Sequence, residues 1–190
     1  NLLKGGEFLV KESNFNETFT PEDLNEEQQM IVDTVVSFVD TEITPIYERI
    51  EHQEPGLTES LLLKAGELGL LGLAIPEEYG GMGKDFNTNS LLIEYLAKSR
   101  SFSLSLGAHI GIGTLPIVYF GNDQQKAHYL PKLATGELKA CYCLTEPSSG
   151  SDALGAKTTA ILNPEGTHYV VNGQKMWITN SGFADVFIVF

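Results

Sequence analysis

The sequence predicts an α+β protein in which an all-helical N-terminal domain is followed by an antiparallel β domain. Two observations predict this class. Apolar residues recur at helical spacing up to about residue 138, and short runs of strand-forming residues follow from about residue 139. Helices and strands are therefore segregated along the chain, which does not fit an alternating βαβ arrangement.

The helical part is expected to contain five helices. The first starts at Thr20-Pro21-Glu22-Asp23, where the threonine can cap the helix and the acids favour its positive end. Pro45 is expected to kink or interrupt this helix. The second helix follows Thr58 and ends near Gly69 and Gly72.

The remaining three helices follow a glycine-rich turn at residues 79–83. The third spans residues 89–100. The fourth is the stretch 101–122, which carries no formal charge and is long enough to cross a bilayer, but its serines, proline and four glycines favour a buried helix of a soluble protein. The fifth starts at the Asn122-Asp123 cap and is bounded by Pro131 and Gly136.

Five short strands are expected to form an antiparallel meander. Turn signals at Asn163-Pro164-Glu165-Gly166 and Asn172-Gly173 separate some of them. If residues 175–179 form a strand, Trp177 and Thr179 share one face, while Met176 and Ile178 share the other. The expected strands are residues 140–145, 158–162, 168–171, 175–179 and 186–190.

The charge balance excludes one class of function. The chain has 12 basic and 25 acidic residues and a net charge of −13, whereas a nucleic-acid binder needs clustered Lys and Arg. The first 60 residues hold 14 of the acids and 3 of the bases, so the rest of the chain is nearly neutral. We expect most of these acids to form a solvated helix face.

Several other site classes are also unsupported. Cys141 and Cys143 are too few for a disulfide scaffold or a four-ligand zinc site, and they favour a reducing compartment. The four histidines lie far apart, so no metal site is expected. No glycine motif fits a dinucleotide fingerprint or a Walker loop. Neither a secretory signal nor a transmembrane segment is expected, although the chain begins with Asn1 rather than Met.

Two segments of the strand region carry chemistry. Thr145-Glu-Pro-Ser-Ser-Gly-Ser-Asp152 follows a strand, and its hydroxyls and close-approaching backbone suit a phosphate or pyrophosphate, although such loops are also common without a ligand. Met176-Trp-Ile-Thr-Asn180 sets the only tryptophan beside a hydroxyl, which suits a flat heteroaromatic ring. A core tryptophan beside an ordinary strand threonine is the alternative.

Together these segments resemble the acyl-CoA dehydrogenase family. Cys143-Leu-Thr-Glu-Pro-Ser-Ser-Gly-Ser-Asp152 resembles the family signature, and Gly173-Gln-Lys-Met-Trp-Ile-Thr-Asn180 is similar to its second flavin segment. Upstream, Ile75-Pro-Glu-Glu-Tyr-Gly-Gly81 and Tyr119-Phe-Gly-Asn-Asp-Gln-Gln-Lys126 with Tyr129-Leu-Pro-Lys-Leu133 resemble further family landmarks. The resemblance covers residues 24–190, and within the family the chain is similar to very-long-chain members. Residues 1–23 are left as an N-terminal extension without an assigned role.

The resemblance implies a domain plan and an FAD site. Residues 24–138 would form the N-terminal helical domain and residues 139–190 the first part of the middle, flavin-binding β domain, while the family's C-terminal helical domain would lie beyond this chain. The Thr145 hydroxyl would lie near the pyrimidine edge of the flavin, and the Thr179 hydroxyl near N5. Ser151 would lie near the cofactor phosphates or the CoA arm. The full set of residues that would contact the cofactor is Tyr142, Leu144, Thr145, Ser151, Trp177, Ile178 and Thr179.

The family's reaction also needs a carboxylate base for the α-proton, which the resemblance places beyond Phe190; Glu146 is expected to be structural. Small residues at Gly107, Ala108 and Gly111 would leave a deep apolar slot for a long acyl chain, because each buried methylene contributes about 0.8 kcal/mol. The same glycines could instead let helices pack closely, and the sequence leaves both interpretations open.

The resemblance implies oxidation of a fatty acyl-CoA to the trans-2-enoyl-CoA, as in fatty acid β-oxidation, with electrons passed to an electron-transfer flavoprotein. A homodimer or a dimer of dimers is expected, located in the cytoplasm or, in a eukaryote, in the mitochondrial matrix. An acyl-CoA oxidase that uses dioxygen and a non-catalytic flavin- or acyl-CoA-binding assembly protein are the alternatives. These 190 residues alone are expected to bind FAD weakly or not at all and to show no turnover.

Overall fold

Helices precede strands in the structure, as the sequence predicts. The computed structural model describes residues 5–17, 20 and 23–190. The α-helices in this part of the chain are α1 (Glu26–Phe38), α2 (Tyr47–Glu51), α3 (Leu57–Glu67), α4 (Phe86–Leu96), α5 (Ser101–Ala108), α6 (Leu115–Phe120) and α7 (Asp123–Thr135). The strands are β1 (Ala140–Cys143), β2 (Thr159–Leu162), β3 (Tyr169–Asn172) and β4 (Val186–Val189). The predicted α+β class with a helical N-terminal part is confirmed.

Helix α1 begins later than predicted. Positions 21 and 22 of the expected start signal lie outside the described residues, and Thr20 donates its N–H and hydroxyl to Asp23. Asn25 is the actual cap: its Oδ1 accepts from the Gln28 N–H at 2.8 Å, and the Gln28 side chain accepts from the Asn25 N–H at 3.1 Å. This reciprocal capping box satisfies two backbone donors at once, which explains why the helix starts there.

The first predicted helix is interrupted around Pro45, as expected. Val39–Ile43 form a π-helical turn and Thr44–Ile46 a 3-10 turn, after which the chain resumes as α2. Proline lacks an N–H, and its ring clashes with the carbonyl four residues earlier. The Val39 carbonyl accepts both the Thr44 N–H and, at 3.0 Å, the Thr44 hydroxyl in this interrupted region.

The uncharged stretch is also two helices rather than one. A π-helical turn, His109–Gly113, separates α5 from α6. By length and hydropathy alone Ser101–Phe120 could cross a membrane. In the structure, however, Phe102, Leu106 and His109 are completely buried, and the two apolar side chains belong to the main helical core.

Helix α7 runs past Pro131, which was expected to bound its far end. The helix continues to Thr135 and ends at Gly136, whose φ of +75° is the left-handed conformation expected of a helix C-cap. Its start carries the predicted cap, because Asn122 and Gln125 form a second capping box. Gly136 is therefore the residue that ends this helix.

The strand pairing differs from the predicted meander. Strands β2 and β3 form an antiparallel hairpin, but β1 and β4 pair in parallel, with Ala140 opposite Val186. Residues 175–179 do not form the predicted strand, because Trp177 has a φ of +59° and Asn180 a φ of +69°. The irregular segment returns the chain to the start of β1, where the Asp185 and Val186 N–H groups donate to the Lys139 carbonyl at 2.8 and 3.0 Å.

The β1–β4 pair packs directly on the helices. Ala140, Val186 and Ile188 join a core cluster with residues of α6 and α7. Gly113 makes this approach possible, because a Cβ at that position would lie 2.7 Å from the Ala140 Cβ. The start of β1 is thereby held against the His109–Gly113 turn, which joins the strand part of the chain to the helical part.

Candidate functional site

A cavity of about 150 Å³ lies where three parts of the chain meet. They are the end of β1, the helical part and residues 175–180, which we call the Trp177 segment. The lining residues come from three separate stretches of sequence and are Ala108, Ile112, Tyr142, Leu144, Thr145, Trp177, Ile178 and Thr179. Six of the seven residues predicted to contact a cofactor are therefore brought together. Ser151 is the exception: it is exposed and does not line this cavity.

Strand alternation explains the contribution of β1. Tyr142 is half-buried and faces the cavity, while Cys141 and Cys143 are buried on the other side. Their sulfur atoms lie 3.8 Å apart as free thiols, and burial raises the pKa of the Cys141 thiol, which keeps it protonated and unreactive. The Tyr142 ring packs against Phe190, with 4.8 Å between ring centroids.

The Trp177 segment reaches the cavity as an irregular loop. Trp177 is 83% exposed despite its size, and its left-handed backbone is rare for a bulky residue. The alternative of a core tryptophan is therefore wrong for this structure. Thr179 is also exposed, so an indole and a hydroxyl are both available to a ligand in the cavity.

Glu146 is the buried centre of the loop after β1. Its carboxylate accepts from Lys175 Nζ at 2.8 Å, from the N–H groups of Lys157 and Thr158 at 2.6 and 2.9 Å, and from the Thr158 hydroxyl at 2.5 Å. The hydrogen bond from Lys175, followed by those from Thr158 and Lys157, lowers the pKa of Glu146 to about 2. This carboxylate is ionised and fully partnered, which supports the structural role expected from the sequence.

Asn180 fixes the far end of the Trp177 segment. Its Nδ2 donates to the Ser105 carbonyl of α5 at 2.8 Å and to the Ala140 carbonyl of β1 at 3.3 Å. Its φ of +69° is tolerated because asparagine adopts the left-handed region more readily than most residues. The sequence motif includes Asn180, but no role was expected of it; the available signal was an asparagine that immediately follows Trp177, Ile178 and Thr179.

His109 is a second residue whose role sequence reasoning missed. Its Nδ1 accepts from the Ala140 N–H and its Nε2 donates to the Leu133 carbonyl, both at 3.0 Å. Burial lowers the pKa of His109, and these two partners require the neutral imidazole. His109 thus joins β1 and α7 to the turn beside the cavity. The sequence feature that could have indicated this role was a histidine within an otherwise apolar part of the predicted helix.

The predicted acyl-facing glycines line a second, mostly apolar cavity of about 360 Å³. Gly107 and Gly111 are one turn apart and face this cavity, whereas Ala108 and Ile112 face the first. A Cβ on Gly111 would meet nothing within 4 Å, and one on Gly107 would meet only the tip of Ile93 at 3.8 Å. These two glycines are therefore not sites of close helix packing, and the close approach in this region is that of β1 to Gly113.

A third and larger cavity, of about 560 Å³, adjoins the first and shares Ile178 and Thr179 with it. Ligand sites generally measure roughly 300–1,000 Å³, so the first cavity alone can take only part of a cofactor. Among the described residues, no group of three His, Cys, Asp or Glu side chains is placed to hold a metal ion. The site can therefore offer stacking area, hydroxyls and backbone groups.

This geometry defines a class of protein: an α+β protein with a small cavity between its helical part and a loop of its strand part, lined by an indole and two threonine hydroxyls. Family models agree: the N-terminal domain of acyl-CoA dehydrogenases matches residues 25–137, and their middle domain matches residues 141–190. The chain belongs to the acyl-CoA dehydrogenase family.

Named relatives and a solved structure are similar to this chain. A "Probable acyl-CoA dehydrogenase" of Bacillus subtilis is 54% identical over 100% of this chain and 32% of its own. The mitochondrial very long-chain specific acyl-CoA dehydrogenase of Macaca fascicularis is 40% identical over 90% of this chain and 26% of its own. An acyl-CoA dehydrogenase of Bacillus anthracis, crystallised with FAD, superposes with a TM-score of 0.92 at 57% identity, over 98% of this chain and 32% of its own. The chain thus spans about a third or less of these proteins.

Proposed function

We propose that this chain is part of an FAD-dependent acyl-CoA dehydrogenase that converts a fatty acyl-CoA to the trans-2-enoyl-CoA, as in β-oxidation. One observation carries the proposal: residues of two separate segments, the end of β1 and the Trp177 segment, line a single cavity. Membership of the family indicates the reaction, and the cavity indicates the residues that serve it.

The lining residues suit a flavin ring. We assign the Thr145 hydroxyl to the pyrimidine edge, the Thr179 hydroxyl to the neighbourhood of N5 and the exposed Trp177 indole to one side of the ring. Ser151 is assigned to the cofactor phosphates or the CoA arm, outside the ring cavity. When bound, FAD accepts the hydride removed from the substrate, and the protein residues orient the ring.

The domain plan follows the same reasoning. We propose a helical domain over residues 24–138, the first part of a flavin-binding β domain over residues 139–190, and an N-terminal extension over residues 1–23. The start of β1 at Ala140 and the end of α7 at Thr135 support the boundary between the two domains.

The α-proton needs a base that is not Glu146. A general base must be free to take a proton, whereas this carboxylate already accepts four hydrogen bonds and its pKa is lowered to about 2. We therefore propose that the base is a carboxylate supplied by a part of the enzyme outside residues 1–190. Residues 1–190 alone are expected to bind FAD weakly or not at all and to show no turnover.

We propose that the acyl chain is long and that the second cavity takes its end. The support is the open space beside Gly107 and Gly111 and the apolar lining that includes Ile93, Ile110 and Leu115. Ala108, the sequence neighbour of Gly107, lines the first cavity, and we assign it to the acyl chain as well. Each further buried methylene would contribute about 0.8 kcal/mol, which favours long chains over short ones.

The partners follow from the proposed reaction. We propose an electron-transfer flavoprotein as the electron acceptor, a homodimer or a dimer of dimers as the assembly, and the cytoplasm or a mitochondrial matrix as the location. The mitochondrial relative supports the last alternative for a eukaryotic source.

The FAD assignment is tested with threonine variants of the full-length enzyme. Thr145→Val and Thr179→Val should each weaken FAD binding about threefold to tenfold, because each removes one hydrogen bond. Thr159→Val is the matched control on the exposed strand β2 and should leave FAD binding unchanged. Equal FAD affinity in all four proteins would refute the assignment.

Two further outcomes would favour the alternative functions. Stoichiometric peroxide during turnover would indicate an oxidase, and a flavin that no acyl-CoA reduces would indicate an assembly protein.

A further inference from the structure

The Trp177 segment is held at both ends while the residues between face the cavity. Trp177, Ile178 and Thr179 line the cavity, and Asn180 is anchored to the carbonyls of Ser105 and Ala140. The left-handed backbone of Trp177 is sterically unfavourable for an L-residue and needs support from its surroundings. The Trp177 side chain is 83% exposed among residues 1–190, so packing within them does not provide this support.

The other end of the segment is held by Lys175. Its Nζ donates to the Leu144 carbonyl at 3.1 Å and to Glu146 Oε1 at 2.8 Å. The next N–H, that of Met176, donates to the Thr145 carbonyl at 3.0 Å. Lys175 therefore contacts the two residues on either side of Thr145 and ties the end of β1 to the start of the Trp177 segment.

Glu146 is a rigid partner for this lysine. The Lys175 and Glu146 side chains are only 12% and 4% exposed. Glu146 also accepts from the N–H groups of Lys157 and Thr158, which fixes its position independently of Lys175. A charge pair this buried needs both partners, because removing one leaves the other charge uncompensated.

We propose that the Lys175–Glu146 pair, which we call the clamp, positions the wall of the first cavity. It holds Trp177 in its left-handed conformation and fixes the Trp177 segment relative to the end of β1. Lys175 acts through these neighbours and is a positioning residue, not a catalytic one. The consequence for FAD rests on the proposed function, whereas the consequence for Trp177 does not.

The test uses the full-length enzyme without FAD, labelled with 5-fluorotryptophan, and Trp177→Phe identifies the resonance of Trp177. The variants are Lys175→Met and the double variant Glu146→Gln with Lys175→Met, which leaves no buried unpaired charge. Lys157→Met is the control, since the Lys157 side chain is exposed and only its backbone contacts Glu146. In both clamp variants the Trp177 resonance should broaden or shift toward the position of the unfolded protein, with the control unchanged.

A second arm measures FAD binding in the same proteins. We expect both clamp variants to bind FAD about tenfold more weakly than the wild type and the Lys157→Met control. An unchanged Trp177 resonance in the folded double variant would overturn the proposal, even if its melting temperature falls, because that result would leave Lys175 a merely structural role. If the wild type binds no FAD, the proposed function fails. The Trp177 resonance still tests whether the Lys175–Glu146 pair positions Trp177.

Discussion

At the scale of single residues, Glu146 and Trp177 owe their roles to partners that are distant in sequence. Glu146 is held by donors at positions 157, 158 and 175, and Trp177 lies between anchors at positions 175 and 180. The sequence predicted that Glu146 is structural, and the contacts of its carboxylate support this role; that Trp177 flanks a flavin ring stays a prediction. The sequence could not predict the clamp, because spacing along the chain does not show which side chains meet across a loop.

Glu146 should make stability depend on pH. The hydrogen bond from Lys175 is the first cause of a pKa lowered to about 2, compared with about 4.5 for an ordinary Glu. The unfolded carboxyl therefore takes up its proton first, and the stabilisation is complete above about pH 4.5 and is lost as the pH falls toward about 2. Urea unfolding should show the advantage of the wild type over Glu146→Gln shrinking across this range.

The control for this prediction is Glu94→Gln, a substitution at an exposed position of α4. A stability difference between wild type and Glu146→Gln that stays constant from neutral to acidic pH would contradict the network described for Glu146.

The backbone of Trp177 gives a second prediction at this scale. Glycine adopts a positive φ without a steric cost, whereas alanine does not. Trp177→Gly should therefore be more stable than Trp177→Ala by about 1 kcal/mol in chemical unfolding. At Tyr169, an exposed position of β3, the order should reverse, because glycine weakens a regular strand by roughly 0.5–1 kcal/mol relative to alanine. The same order at both positions would show that Trp177 is not strained.

At the scale of elements, the His109–Gly113 turn joins the helices to β1. The sequence predicted one continuous helix over this stretch, since it carries no formal charge and no proline precedes Pro116 within it. The π-helical turn depends on tertiary contacts, because His109 binds a carbonyl of α7 and an N–H of β1. Such contacts are not visible in local periodicity.

Replacement of His109 should loosen this junction. His109→Leu supplies apolar bulk but leaves the Ala140 N–H buried without a partner, at about 1–3 kcal/mol, and removes one of the two donors to the Leu133 carbonyl, which keeps the Gly136 N–H. His128→Leu on the exposed face of α7 is the matched control and should change stability little. Urea unfolding compares the two; equal stability would mean that the His109 hydrogen bonds contribute nothing.

The two neighbouring glycines should respond oppositely to substitution. Gly113→Ala places a Cβ 2.7 Å from that of Ala140 and should lower the free energy of unfolding by about 1–3 kcal/mol.

The Gly111→Leu side chain points into open space, so the variant should fold normally, but it should lower the activity of the full-length enzyme on palmitoyl-CoA relative to butyryl-CoA. An unchanged ratio of the two activities would argue against an acyl chain in the second cavity.

At the scale of the whole molecule, the order of helices and strands follows from the sequence. Caps, helical periodicity and strand-forming runs are local signals, and they correctly placed the helical part and the β2–β3 hairpin but wrongly predicted a strand at residues 175–179. The parallel pairing of β1 with β4 was not predictable from them. It depends on the irregular path of residues 173–185, which the left-handed Trp177 and Asn180 determine.

The cavity between the end of β1 and the Trp177 segment is proposed to hold the flavin of a long-chain acyl-CoA dehydrogenase. The most direct measurement is the visible absorbance of the FAD-loaded full-length enzyme after anaerobic addition of acyl-CoA. Palmitoyl-CoA should bleach the oxidised flavin rapidly, butyryl-CoA should do so more slowly, and Thr179→Val should slow the bleaching by palmitoyl-CoA. A flavin that stays oxidised with every acyl-CoA, or a faster reaction with butyryl-CoA, would contradict this assignment.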